Sequence, residues 1–173
     1  MKHFSILLLF IIFIANKAIA QTALDNKNGF RDAKFGMPIS AFKGMKRDKS
    51  TDGITELKFY TRATDIKKLG DIPLNSITYT FNKVDRLMSI LITADEQYGE
   101  DILETLNSAY GKGWHCTWCT AKGEWYMWNG NSVRLNVNLA NYVSIEFITK
   151  NESILLPVVL TQEQKMQKRK ASL

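Results

Sequence analysis

From Ser132 to Leu139 the chain alternates without a break. Val133, Leu135, Val137 and Leu139 are apolar, and Ser132, Arg134, Asn136 and Asn138 between them are polar. Successive side chains of a strand point to opposite faces, so this run is a strand with one buried and one wet face. That pattern commits the chain to an antiparallel sheet, the arrangement that leaves one face to solvent. The same period recurs on both sides. Val143, Ile145 and Phe147 follow a turn at Ala140-Asn141, and the extended stretch Glu124 to Trp128 leads into Asn129-Gly130, a strong hairpin signal. Upstream, Ile77, Tyr79 and Phe81 alternate with Ser76, Thr78 and Thr80. Asn82 to Asp85 turns the chain, and Met88, Ile90 and Ile92 return it. Leu57 and Phe59 mark one strand more.

Two segments read as helices. Pro38 suits a first helical turn, and Ile39, Phe42 and Met45 share a face, which predicts a short helix over 38–45 followed by a loop from Arg47 to Gly53. Glu100 and Asp101 favour a helix N-terminus; Ile102, Leu103, Leu106, Ala109 and Tyr110 form its stripe, and Gly111 caps it. The fold class is therefore α+β: antiparallel sheet units with packed helices. The order, helix then strands then helix then strands, suggests a tandem α-β-β-β duplication with halves near 30–96 and 97–150. This order resembles the tandem units of exported β-lactamase-inhibitor proteins and small outer-membrane assembly lipoproteins. Those families bind other proteins, so the resemblance implies a binding role. The opening Phe30-Arg31…Phe35-Gly36 also resembles that of small uncharacterised exported bacterial proteins, a likeness that implies no activity.

The ends of the chain say where it goes. Met1-Lys2-His3 is a basic start, Phe4 to Ala15 is nearly all apolar, and Ala18-Ile19-Ala20 has the small-x-small form that signal peptidase cleaves. The apolar run is short of the roughly twenty residues a membrane-spanning helix needs. Residues 1–20 thus read as a secretory signal, with a mature start at Gln21, and no cysteine follows the cut to carry a lipid. The expected location is periplasmic or secreted, without an integral membrane segment after cleavage. Gln21 to Asn28 is polar and reads as a flexible start.

The formal net charge of +6 is unevenly spread. Residues 21–160 hold 17 basic and 16 acidic side chains, and the excess sits in the signal and in the basic tail 161–173. The domain, 21–160, has no field to attract polyanions, and nucleic acid is excluded as a partner. Ile154 to Leu160 is apolar but short and broken by Pro157; it reads as a segment packed along the domain edge. Thr161 with Gln164 begins a final capped helix. Asn151-Glu152-Ser153 is a glycosylation sequon, relevant only in a eukaryotic source.

All four tryptophans, both cysteines and the single histidine after the signal lie between Trp114 and Trp128. A thiol oxidoreductase would place Cys116 at a helix N-terminus, where the dipole favours the thiolate. Here Thr120, Lys122 and Gly123 lead to another strand instead. Metal binding has too few ligands: His115, Cys116 and Cys119 make three, and no second pair completes a tetrahedral zinc site. Covalent haem needs a histidine where Thr120 stands. The remaining reading is a Cys116–Cys119 disulfide closing a tight turn and fixing Trp118, since disulfides persist outside the cytoplasm. On the strand, Trp125 and Met127 share one face, and Tyr126 and Trp128 the other. Both faces of a half-open sheet cannot be core, so at least one aromatic set is partly exposed; it is either covered by the apolar segment 154–160 or left open as the kind of surface that interfaces and sugar platforms use.

Asp95, Glu96, Glu100 and Asp101 read as helix-start acids rather than catalytic carboxylates, and Gly111-Lys112-Gly113 as a cap rather than a phosphate loop. No cofactor and no catalytic set is expected. The expected function is a non-enzymatic binding module for a protein or glycan, using Trp114, Trp118, Trp125, Tyr126 and Trp128. The alternative is a thiol–disulfide active envelope protein working through Cys116 and Cys119.

Overall fold

The computed structural model describes residues 23–50, 56–119 and 121–155. The stretch 1–20 expected to be a signal, the expected edge segment 154–160 beyond Leu155, and the basic tail 161–173 lie outside these residues. The elements are β1 (Gly29–Phe30), β2 (Ala33–Lys34), β3 (Met45–Asp48), β4 (Lys58–Arg62), β5 (Lys68–Leu69), β6 (Ile72–Pro73), β7 (Ser76–Phe81) and β8 (Leu87–Asp95), then helix α1 (Gly99–Tyr110), β9 (Trp114–His115), β10 (Glu124–Asn129), β11 (Val133–Leu139) and β12 (Tyr142–Thr149).

Eight strands form a single antiparallel sheet in the order β3-β4-β7-β8-β12-β11-β10-β9. Two small hairpins, β1–β2 and β5–β6, stand beside it. The strand order reads as two meanders, β3-β4-β7-β8 and β9-β10-β11-β12, whose last strands pair with each other. The expectation of separate sheet units, each led by a helix, is corrected here. The molecule is mostly sheet, and the sheet is continuous through β8 and β12.

The first expected helix does not form. Pro38 is extended (φ −72°, ψ 151°) and bridges to Arg86, a 3-10 turn occupies Ile39–Ala41, and Phe42 is extended again. Phe42 is drawn into the core between Tyr79 and Phe81, with ring centroids 6.2 and 5.7 Å away. Met45 then enters strand β3. Tertiary burial of one aromatic outweighs the weak helical pattern of eight residues. The second expected helix forms as read, with Ile102, Leu106 and Tyr110 buried on the sheet. Its first residue, Gly99, lies so close to the sheet that an added Cβ would stand 3.3 Å from Leu139 Cδ2.

The core lies on the face that α1 covers. Ile77, Tyr79, Phe81, Ile90, Ile92, Leu135, Val137, Ile145 and Phe147 are all buried, each contributing about 1.5–3 kcal/mol from its removal from water. The alternation of β11 and β12 is as the sequence implies, and that of β7 holds up to Thr80, which is buried as well. In β8 it slips: a bulge at Thr80/Phe81 places Leu87, not Met88, opposite Phe81.

The segment read as a flexible start is anchored. Residues 23–27 form a helical turn, Leu24 is buried, and the Asp25 carboxylate accepts from the N–H groups of Asn131, Ser132 and Val133 at 2.7, 2.8 and 3.1 Å. The Phe30-Arg31…Phe35-Gly36 opening is a structural hairpin. Phe30 and Phe35 are buried, and Arg31 donates to the carbonyls of Ile66 and Lys68. Gly36, at φ 82°, turns the chain so that its N–H reaches Leu87 O.

Candidate functional site

The Trp-rich segment begins where α1 ends. Gly111 has φ 75°, outside the range other residues favour, and its carbonyl accepts the Trp128 indole N–H at 2.6 Å. Asn107 Oδ1 accepts the Gly113 N–H at 2.9 Å. The Trp128 ring lies directly on Gly113, where a Cβ would come within 2.5 Å of Cζ2. Close ring-to-backbone packing explains Gly113, and the positive φ at the helix end explains Gly111.

The chain then forms β9 along the sheet edge, with Trp114 opposite Met127 and His115 opposite Tyr126. Directly opposite residues of an antiparallel pair share a face. The five aromatic candidates are therefore divided. Tyr126 and Trp128 face the core, and Trp128 is 5% exposed. Trp114, Trp125 and Met127 face the other side of the sheet.

Cys116 and Cys119 are bridged, with Cα atoms 5.6 Å apart, around a turn at Thr117–Trp118. Cys116 is buried and its N–H donates to Trp125 O at 2.8 Å; Cys119 is half-buried. The turn folds Trp118 back onto Trp114, ring centroids 4.5 Å apart and tilted by 55°. Both indoles stay wet, Trp114 at 42% and Trp118 at 70% exposure.

Beyond the pair, the same face carries Asn136 and Asn138 of β11 and Glu146 of β12, with Asn136 opposite both Met127 and Glu146. Burial raises the Glu146 carboxyl above its ordinary range, offset in part by a hydrogen bond from Asn136 and by Arg134. The Trp125 indole N–H and the Asn136 amide oxygen are buried on this face and find no hydrogen-bond partner among the described residues. On the core-side face of the edge, His115 stacks on Tyr126 at 4.7 Å, and Tyr126 donates to Glu124 at 2.9 Å.

Chemically, the segment offers aromatic contact more than reactivity. No helix begins at Cys116, so no helix dipole acts on its sulfur. His115 Nε2 lies 3.9 Å from Glu124, with no nucleophile in the group. Among the described residues, no three His, Cys, Asp or Glu side chains gather as metal ligands, and no helix is long and apolar enough to cross a membrane.

Sequence reasoning missed one polar cluster. Arg62 forks onto Asp32, its Nε donates to Asp65 Oδ1 at 2.7 Å, and the Tyr79 hydroxyl donates to Asp65 Oδ2 at 2.8 Å. Every charge in it is paired, which marks it as a structural lock. Only the polar Arg31-Asp32 pair inside the Phe30…Phe35 opening could have hinted at it.

No protein-family model matches the chain, and neither a curated protein nor a solved structure matches it.

Proposed function

We propose that this chain is an exported, non-enzymatic binding module whose contact surface is the Trp114–Trp118 pair at the sheet edge, with Trp125 and Met127 beside it. Its partner is a protein or a glycan outside the cytoplasm. The observation that carries the reading is that two indoles, 42% and 70% exposed, pack with ring centroids 4.5 Å apart, one on the edge strand β9 and the other inside the covalently closed turn that follows it. Large exposed aromatics are costly to leave in water and are enriched at binding hot spots. Holding them rigid before contact reduces the entropy lost on binding. Trp128 and Tyr126, turned to the core, drop out of the contact set and serve to support it.

The test is capture of partners from the extracytoplasmic fraction by the full chain and by Trp118→Ala and Trp114→Ala. Folding of both variants is expected to be close to wild type, with capture lost. Capture unchanged in both variants would remove the aromatic pair from the function. The mass of the exported chain, expected to start at Gln21, tests the export half of the reading.

The thiol–disulfide alternative is favoured by one observation, the partial exposure of Cys119. Its discriminator is the ease of reduction. A bridge that opens under mild dithiol would bring that reading forward.

A further inference from the structure

We infer that the Trp114–Trp118 platform is assembled by oxidation. The reduced chain keeps its sheet and lacks the platform, so the surface exists only after Cys116 and Cys119 are joined. This inference concerns regulation of the site proposed above, and its relevance to binding rests on that reading. The conformational claim stands on the geometry alone.

Three relationships carry it. Trp118 lies inside the bridged loop, and 70% of its surface is in water. Its ring packs on one described aromatic, Trp114, itself 42% exposed. A single contact between two wet rings is a small gain against the entropy of fixing residues 117 to 119. The covalent tie supplies the missing constraint by removing open conformers of the turn.

The sheet, by contrast, does not depend on the bridge. β10 is paired with β11 over six residue pairs from Glu124↔Leu139 to Asn129↔Arg134. Trp128 is locked onto Gly111 and Gly113, and Asn107 holds Gly113. The bridge spans a sequence separation of 3, too short a loop to constrain the unfolded chain much. Opening it frees the turn and leaves its flanks in place.

The two sulfurs are also unequal. Cys119 is half-buried and within reach of an external reagent, while Cys116 is buried beneath the turn. With no helix dipole at Cys116, the pair is suited to be oxidised by another disulfide rather than to oxidise others. In the step, the Cys119 thiolate attacks one sulfur of an oxidant disulfide, forming a mixed disulfide and releasing one oxidant thiolate. The Cys116 thiolate then attacks Cys119 Sγ and displaces the second. The chain loses two protons and two electrons, and the oxidant disulfide becomes a dithiol, or two thiols when it is glutathione disulfide.

Two indoles in contact couple their electronic transitions and give a bisignate circular-dichroism couplet, which reports the platform without any partner. The full chain is measured oxidised, then reduced and alkylated, then reduced and reoxidised with glutathione disulfide. The couplet is expected in the oxidised and reoxidised samples and lost in the reduced one, with the melting transition shifted by no more than a few degrees. Trp118→Phe, still oxidised, loses the couplet and so assigns it. Cys116→Ser with Cys119→Ser reproduces the reduced spectrum without alkylation. A couplet that survives reduction overturns the inference, and so does reduction that unfolds the sheet. If the couplet follows redox state while Trp118→Ala still captures partners, the binding reading fails and this inference holds.

Discussion

Arg62 meets Asp32 as a fork, Nη1 on Oδ2 at 2.7 Å and Nη2 on Oδ1 at 2.8 Å, joining residues on different elements thirty positions apart. Asp32 sits in the turn of the β1–β2 hairpin and Arg62 ends β4, so the fork fastens the hairpin to the sheet. Behind it, the third guanidinium nitrogen holds Asp65, whose side chain is 3% exposed and which also accepts from Tyr79. Arg62 is thus paired on both its outer and its inner side. A lysine, with one point charge, has no geometry for this.

The consequence for stability is large and asymmetric. Arg62→Ala strands the buried Asp65 charge and is expected to cost about 3–5 kcal/mol, because a broken buried pair leaves an uncompensated charge. Arg62→Lys recovers only part of that. Asp32→Asn removes an exposed partner, 66% in water, and is expected to cost well under the Arg62→Ala loss. Urea denaturation of the three variants orders them.

The same fork gives an acid limb to the stability curve. Its hydrogen bond from Arg62 holds the Asp32 carboxyl below the ordinary aspartate range. A carboxyl lowered by folding stabilises the fold above its unfolded pKa, and that stabilisation is lost as pH falls through the folded value. Urea midpoints measured downward from neutral pH are expected to fall below the ordinary aspartate pKa, with a shallower fall in Asp32→Asn. An unchanged slope in that variant would assign the acid limb to other carboxyls.

Asp25 makes a second long-range tie, to the tip of the β10–β11 hairpin. Its carboxylate accepts three backbone N–H groups and lies 2.3 Å from where a Gly130 Cβ would stand. Asp25→Ala is expected to cost about 1–3 kcal/mol, since hydrogen bonds to a charged group are the stronger ones and one of the three donors, the Val133 N–H, is partly shielded from water. Gly130→Ala collides with the carboxylate in the wild type. In the Asp25→Ala background that collision is gone, so the pair is expected to be less than additive in a double-mutant cycle.

These two ties mark the boundary of what the sequence reveals. Strands β7, β11 and β12 are legible in Ile77 to Phe81, Val133 to Leu139 and Val143 to Phe147, because one-faced burial writes itself into the residues at period two. Helix α1 is legible in its stripe and its Gly111 cap. The hairpin near Asn129-Gly130 is legible too, but its central residues are Asn131 and Ser132, since Gly130 donates to Val133 O. Gly130 is needed for the approach of Asp25, a contact from 105 positions away in the chain. Phe42 looked helical and is extended, because its ring partners are on β7. The division of the tryptophan cluster was readable as alternation, yet which face is core depends on where α1 lands. Of the partners of Arg62, Asp65 is three positions on, but Asp32 and Tyr79 come from elsewhere in the chain, and a spacing of three outside a helix announces nothing.

The buried tyrosines set the alkaline limit. Burial pushes Tyr110 up to about 12, and burial with the Asp65 hydrogen bond raises Tyr79 above the ordinary range. An acid whose pKa is raised by folding stabilises the fold below its unfolded pKa, and the contribution is lost as pH rises through the folded value. Stability is therefore expected to fall above about pH 10, the ordinary tyrosine value. Tyrosinate absorbance is expected to show Tyr79 and Tyr110 ionising only with unfolding. Substitution Tyr110→Phe removes its share of the loss, while smooth ionisation of every tyrosine in the folded chain would contradict the burial assigned to both.

Trp118 and Trp128, ten positions apart, are expected to respond oppositely to truncation. Trp128 is 5% exposed, its N–H bonds Gly111 O, and its ring fills the space over Gly113. Trp128→Ala opens a cavity at the helix-to-edge junction and strands a carbonyl, at a cost of about 3–5 kcal/mol. Trp118 is 70% exposed and rests on Trp114 alone among the described aromatics, so Trp118→Ala is expected to shift stability by no more than about 0.5 kcal/mol. Thermal melts of the two variants decide it. A Trp118→Ala loss as large as that of Trp128→Ala would mean that the outer indole supports the fold, and the reason to regard it as a contact surface would be gone.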